Sequence, residues 1–426
     1  MTEKTYPQLD EKVIWDTLPN GLHIAIVPRP GFTKKMCYFV TDFGSIHTSF
    51  NLNGRDYRVP DGIAHYLEHK MFDLPGRDVS AEFAALGASP NAFTGYDMTA
   101  YYFSCTQNFY ESLHLLLEFV STPYFTTQSV QKEQGIIGQE IGMNLDNPDS
   151  QLFDLLAKTM YENHPVRVPI LGTKESISHI TPEALCLCHQ AFYRPGNMLL
   201  CIVGDVEPEK VHQIAQEVLP YRDMPAPQVT RQWEESMRVK THDVSASMEV
   251  AMPMFQLSFK CEPSDRGEEA IRMEMIGELA AETLFGEASP LYLKLYEEGL
   301  IDSSFGGGYD TIEGLAMLCA SGDSNEPEKV REAIIREAIT LREIPEESLL
   351  RMKRSAMGRR IRALDSFDSI CFRICAYFFS GFDYFRFPGI YESITAQEIL
   401  DFIHRTVTPD RACMCVIYPK NQEDSQ

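Results

Sequence analysis

His65, Glu68 and His69 stand within five residues of one another, in the run His65-Tyr66-Leu67-Glu68-His69. On a helix, two imidazoles four residues apart lie on one face, one turn above the other, and can grip a single metal ion. Glu68 follows His65 by three positions, so its carboxylate reaches the same side. There it could act as general base on a water that the metal holds. The set names a metal, a base and a reaction class together, metal-assisted hydrolysis. The plain alternative is a surface helix with a His-Glu-His face, because a pattern this short also arises by chance.

The elements that must position these side chains are legible nearby. Pro60-Asp61-Gly62 precedes a run from Ile63 to Phe72 in which Ile63, Leu67 and Met71 recur at helical spacing. The spacing predicts a helix with His65, Glu68 and His69 beside its core stripe. A catalytic zinc uses three protein ligands plus water, so a third donor must come from elsewhere. The segment Val130 to Asn144 offers Glu133 and Glu140, seven apart and therefore on one helical face, with Ile136 and Ile137 marking the apolar side. One carboxylate could ligate and the other could hydrogen-bond a ligating histidine. Spacing alone leaves open which does which, and an ordinary solvated Glu face is its commoner meaning.

The order His-x-x-Glu-His inverts the His-Glu-x-x-His of other zinc proteases. Followed some seventy positions later by the E-x6-E helix, it resembles the insulinase/pitrilysin zinc metallopeptidases, most of all their half-length bacterial processing-protease branch. Further likeness runs through Leu18-Pro19-Asn20-Gly21-Leu22 and the stretch Gly87-Ala88-Ser89-Pro90-Asn91-Ala92-Phe93-Thr94. It continues in His164-Pro165 with Gly172-Thr173, and in Tyr193-Arg194-Pro195-Gly196-Asn197-Met198 followed by Val203-Gly204-Asp205. The match is specific over the first 210 or so residues and weaker beyond. The resemblance implies Zn2+ as cofactor, His65, His69 and Glu140 as its ligands, Glu68 as general base and Glu133 as hydrogen-bond partner of a ligand. It implies that Asn91 and Ala92 lie on a strand edge that pairs with an extended peptide substrate. It also implies an endopeptidase acting on peptides or small unstructured polypeptides. A non-catalytic peptide-binding or scaffold subunit of the same family is the second reading.

One departure bears on partners. Active subunits of such families, or their partners, carry an Arg/Tyr pair that grips substrate, in a segment resembling L-R-E-x-x-G-L-x-Y. The corresponding stretch here is Leu295-Tyr296-Glu297-Glu298-Gly299-Leu300-Ile301-Asp302, with neither member. The chain therefore resembles the metal-bearing subunit of paired peptidases, and the expectation is a heterodimer with a zinc-less paralogue that supplies the pair. A homodimer is the alternative.

With 426 residues, two domains are the default, and 44% hydrophobic residues suffice for two large cores. A faint internal repeat appears at an offset of 214. Ile180-Thr181 maps onto Ile394-Thr395, Pro195 onto Pro409 and Cys201 onto Cys415, in the shared order of cap, helix, proline and apolar strand. The expected fold class is α+β, with two similar halves, each a mostly antiparallel sheet packed with helices. The expected division is a zinc-bearing catalytic domain over 1–222, a Pro-rich polar linker over 223–236 and an inactive domain of similar fold over 237–426. Strands are expected near 22–28, 36–43, 99–105, 198–203, 246–260, 304–309, 314–321 and 412–418. Helices are expected near 62–73, 79–86, 109–121, 126–145, 148–161, 181–192, 208–218, 266–285, 326–341, 346–363, 366–381 and 396–405.

A net charge of −23 argues against nucleic acid or an anionic membrane as partner. The start MTEKTYPQLDEK has no apolar run of a secretory signal, and no stretch approaches the ~18 apolar residues of a membrane helix. Eleven cysteines, an odd number without a C-x-x-C, fit reduced thiols in a cytoplasmic setting. The C-x-C pairs Cys186/Cys188 and Cys413/Cys415 read as core, as do His114 and His189 as structural residues. The aromatic run around Phe372, Tyr377, Phe378 and Phe379 reads as core, or else as the lining of a substrate chamber or partner face.

Overall fold

The computed structural model describes residues 1–219, 226–231, 233–264 and 266–420. The chain forms two compact units that interleave in sequence. The first contains Met1–Ile141, Pro169–Thr230 and Arg360–Arg386, and the second Gly142–Val168, Arg231–Arg359 and Phe387–Gln426.

The first unit is built on a seven-stranded sheet. Its strands are β1 (Thr2–Tyr6), β2 (Glu11–Thr17), β3 (His23–Pro28), β4 (Lys35–Thr41), β5 (Ala88–Thr94), β6 (Thr99–Cys105) and β7 (Met198–Gly204). Their order is β1-β2-β3-β7-β4-β6-β5, antiparallel except for the parallel pair β3 and β7. Period-two alternation gives the sheet two apolar faces. Cys37 and Phe39, with Tyr101 and Phe103, join the large core that also holds Ile63, Tyr66, Leu67 and Met71 of the motif helix Ile63–Met71. On the other face, the helix Phe367–Phe379 packs on β7 and β4, and Tyr38 donates to Asp368 Oδ1 at 2.7 Å. The start of the motif helix is fixed by a close approach of two backbones. Gly62 caps it at φ 89°, and a Cβ there would meet the Leu171 carbonyl at 2.5 Å, so only glycine fits.

The second unit has a five-stranded sheet of β8 (Asp243–Met248), β9 (Met254–Cys261), β10 (Gly306–Ile312), β11 (Leu315–Asp323) and β12 (Ala412–Pro419). The order β8-β12-β9-β11-β10 reproduces β3-β7-β4-β6-β5, and again only the first pair is parallel. The repeat at offset 214 has a structural counterpart. Thr181 and Thr395 each cap a helix, at the backbone N–H of Ala184 and Glu398. Pro195 and Pro409 each open a single 3-10 turn that leads into β7 and β12, where Cys201 and Cys415 are fully buried. The fold class is α+β with two sheet-bearing halves of like topology.

The division expected from the sequence is contiguous, whereas the compact units exchange one helix each. Helix Pro148–Met160 packs on β12, β9 and β8, and helix Phe367–Phe379 packs on β7 and β4. Of the expected linker 223–236, positions 223–225 and 232 lie outside the described residues. Gln228 and Val229 pair with Asn51 and Phe50, and the Glu235 carboxylate accepts N–H groups of Glu162, Asn163 and His164. Other differences are local. The expected strand 246–260 is two strands, β8 and β9, separated at residues 249–253, where Pro253 cannot donate to a ladder. Helix Pro290–Glu297, with its Ser289 cap, and strands β1 and β2 were not expected, while β5 supplies the strand edge expected at Asn91 and Ala92 from the family resemblance alone. Ile136 is 46% exposed, and the apolar side of its helix is Val130, Ile137 and Ile141 instead.

Asp154, partly buried on helix Pro148–Met160, offers a stability test. Burial pushes its carboxyl up to about 6. A raised acid favours the folded state below the unfolded pKa near 4 and loses that contribution as pH rises through 6. Asp154→Asn is therefore expected to stabilise the protein at pH 8, by about 1–2 kcal/mol after solvent screening, and to change nothing near pH 4. Thermal unfolding of both chains at the two pH values checks this; equal gains at both would refute it.

Candidate metal centre

The helix Ile63–Met71 is short and almost wholly buried, with His65 7% and Glu68 8% exposed. Next to it runs the helix Thr127–Leu145, which presents Glu133 and Glu140. A Tyr66 hydroxyl donating to the Val130 carbonyl joins the two helices. The arrangement brings together His65, His69 and Glu140, whose ligand atoms all lie within 4.8 Å of one another. Glu140 Oε1 is 3.7 Å from His65 Nε2, and Glu140 Oε2 is 3.6 Å from His69 Nε2. Donors on a tetrahedral zinc, with bonds of about 2.0–2.1 Å, stand about 3.3–3.4 Å apart, and the two His–Glu140 separations lie within a few tenths of an ångström of that spacing. Among the described residues it is the only cluster of three or more His, Cys, Asp or Glu that converges in this way.

At His65 the electrostatics favour ligation. Burial, reinforced by the neighbouring His69, pushes the His65 imidazole down to about 3, which leaves its lone pair available. Burial also works against a protonated His69, but the Glu133 hydrogen bond and the charges of Glu68, Glu133 and Glu140 outweigh it and raise its pKa. His69 Nδ1 is 3.0 Å from Glu133 Oε1, so Nε2 is the nitrogen turned toward Glu140. The His69 hydrogen bond in turn holds Glu133 below the usual carboxylate range. Glu133 thus touches a candidate ligand and Glu140 is itself a candidate ligand, a distinction that spacing left open.

Glu68 lies on the same side of the helix. Burial raises its pKa, partly offset by a 2.7 Å hydrogen bond from Thr94 Oγ1 to Oε2. Thr94 was not singled out from the sequence as a site residue, although it closes the quoted stretch 87–94. Asn91 and Ala92 lie on β5, the edge strand of the sheet, where Asn91 is exposed and its Oδ1 accepts the Ala92 N–H at 2.9 Å. The histidines read as structural are away from this cluster. His189 is buried with Nε2 3.0 Å from the Val120 carbonyl, and His114 is exposed. In the second unit, Leu295 is fully buried and Tyr296 is 54% exposed, stacked on Tyr292.

Residues 54–174 match the family model described as insulinase (peptidase family M16), and residues 179–356 match the one described as peptidase M16 inactive domain. The chain is 38% identical over 424 residues to a Bacillus subtilis protein named uncharacterized zinc protease YmfH, covering 98% of this chain and 99% of that one. A solved structure described as an M16-like peptidase, from Alicyclobacillus acidocaldarius, superposes with a TM-score of 0.91 at 31% identity over 96% of this chain and 99% of that one. A protease from Helicobacter pylori shares the fold, with a TM-score of 0.80 at 19% identity over 96% and 100%. The chain belongs to the insulinase family of peptidases, family M16. Its relatives are named zinc proteases, and Zn2+ is the metal of the family. Among the described residues no helix is long and apolar enough to cross a membrane.

Proposed function

We propose that this chain is a zinc-dependent endopeptidase in which His65, His69 and Glu140 hold the metal and Glu68 is the general base. The observation that carries the reading is the convergence of those three donors with a buried carboxylate beside them. Bound zinc supplies Lewis acidity, polarising a scissile carbonyl and lowering the pKa of its water toward 7. Glu68 takes the proton of the attacking water at Oε1, since Thr94 occupies Oε2, and hands it to the leaving amine. Glu133 keeps the proton of His69 on Nδ1. An extended peptide adds to the open edge of β5, where its carbonyl can replace Asn91 Oδ1 at the Ala92 N–H. Main-chain pairing of this kind tolerates many side chains, which suits peptides and small unstructured polypeptides.

The functional unit we propose is a heterodimer with a zinc-less paralogue. Leu295 or Tyr296, depending on a one-residue gap, stands where family members carry the substrate-gripping Arg, and Asp302 where they carry the Tyr, so a partner would supply the pair. Eleven unpaired cysteines support a cytoplasmic setting. Hydrolysis of a mixed quenched-fluorescent peptide pool tests both readings. The zinc-loaded chain alone is expected to be silent, and chelator-sensitive turnover is expected once a paralogue carrying the Arg/Tyr pair is added. Full turnover by the isolated chain would refute the pairing and leave the peptidase reading intact. Zinc binding without turnover in any pairing would instead mark a peptide-binding subunit.

A further inference from the structure

The motif helix buries one more charge next to the metal donors. Lys70 is 1% exposed on a helix that also buries Ile63, Leu67 and Met71. Its Nζ donates to the Asp73 carboxylate and to the Ser129 carbonyl at 3.4 Å, and it lies 3.8 Å from Glu133 Oε2. The other Glu133 oxygen, Oε1, is the one 3.0 Å from His69 Nδ1. Glu133 is therefore a bridge, with an ammonium on one oxygen and a candidate ligand on the other. Tyr66, one turn before Lys70, bonds the Val130 carbonyl, so two successive side chains of one stripe engage the first turn of the helix that carries Glu133.

Packing alone does not account for a lysine here. A buried ammonium is costly to desolvate and persists where it is paired and hydrogen-bonded, and an apolar side chain of similar length would fill the space without that cost. Lys70 meets two carboxylates and a carbonyl, and one of those carboxylates orients His69. We propose that Lys70 is a positioning residue for the metal centre. It holds the Glu133 carboxylate in place, and Glu133 in turn fixes the His69 ring with Nε2 toward Glu140. Without Lys70, Glu133 loses its counter-charge on Oε2 and can swing away, and His69 is freed to turn. This role rests on the zinc-site reading given above.

The test is zinc affinity, measured by competition with a chromophoric chelator, on the parent chain, Lys70→Met, Lys70→Arg, Glu133→Gln and the Lys70→Met/Glu133→Gln double variant. Loss of a group that orients a ligand costs about 10–100-fold in metal affinity, and that is the loss expected for Lys70→Met. Lys70→Arg, which keeps the charge, is expected to recover most of it. In the Glu133→Gln background, Lys70→Met is expected to add little, because its effect runs through Glu133. A purely structural role would lower the melting temperature of the metal-free chain and give losses that add. Unchanged affinity in Lys70→Met, or additive losses, would overturn the proposal while leaving the zinc site standing. A parent chain that binds no stoichiometric zinc would overturn the site and this role together. If Lys70→Met does not fold, Lys70→Gln against Lys70→Arg makes the same comparison.

Discussion

Glu68→Gln is expected to retain one zinc per chain and to lower peptide turnover by about 10²–10⁴-fold, the usual contribution of a positioned proton-transfer group. The amide has nearly the volume of the carboxylate, and Glu68 is only 8% exposed, so the helix need not repack. Thr94 can still donate to the amide oxygen in place of Oε2. What is lost is the basic oxygen that takes a proton from water. Metal analysis and kcat, measured in whichever assembly proves active, check the two halves separately. Turnover within a few-fold of the parent would remove Glu68 from the base role. Loss of zinc would mean that the residue serves the metal instead.

His65→Ala is expected to act earlier, on the metal itself. Apparent binding of about 10–16 kcal/mol for four-ligand structural zinc, divided among the ligands, gives about 2.5–4 kcal/mol each, or about 10²–10³-fold in affinity. His65 is also the more buried of the two imidazoles, so water cannot easily replace it. Glu140→Gln keeps one weaker oxygen donor in place of the two that face His65 and His69, and is expected to cost less than His65→Ala. Competition titration ranks them, and the zinc-dependent rise in melting temperature should shrink in the same order. Equal zinc affinity in all three chains would exclude this cluster as the metal site.

The parts of this site that could be read from sequence are the ones set by short-range periodicity. Two histidines four apart and a glutamate between them declare one helical face whatever the rest of the chain does. Glu133 and Glu140 share a face for the same reason, yet their different roles depend on which oxygen meets which ring nitrogen, and spacing says nothing of that. The edge strand Ala88–Thr94 followed from the family resemblance and not from local pattern. Gly87, Ala88, Ser89 and Pro90 have little β-propensity, and pairing with Thr99–Cys105 overrides it. Lys70 gave no signal, because a lysine beside a histidine looks solvent-exposed until a second helix covers it. The offset of 214 was legible because caps and prolines carry fixed local meanings. Which sheet a helix covers was not, since an amphipathic pattern shows that a face is buried and not against what.

That last point bears on how the protein is made. The candidate metal donors are complete once residue 140 has left the ribosome, and all seven strands of the sheet in their unit once residue 204 has. The face of that sheet carrying Tyr38 and Cys201 still waits for helix Phe367–Phe379, whose Phe367, Ile370, Ile374 and Tyr377 are buried in the finished fold. Each such side chain is worth about 1.5–3 kcal/mol of burial. A chain made up to residue 204 therefore holds every candidate metal donor, on the helices Ile63–Met71 and Thr127–Leu145, in a unit whose sheet still has one bare face. Completion of that unit is thereby tied to a helix encoded well after its last strand.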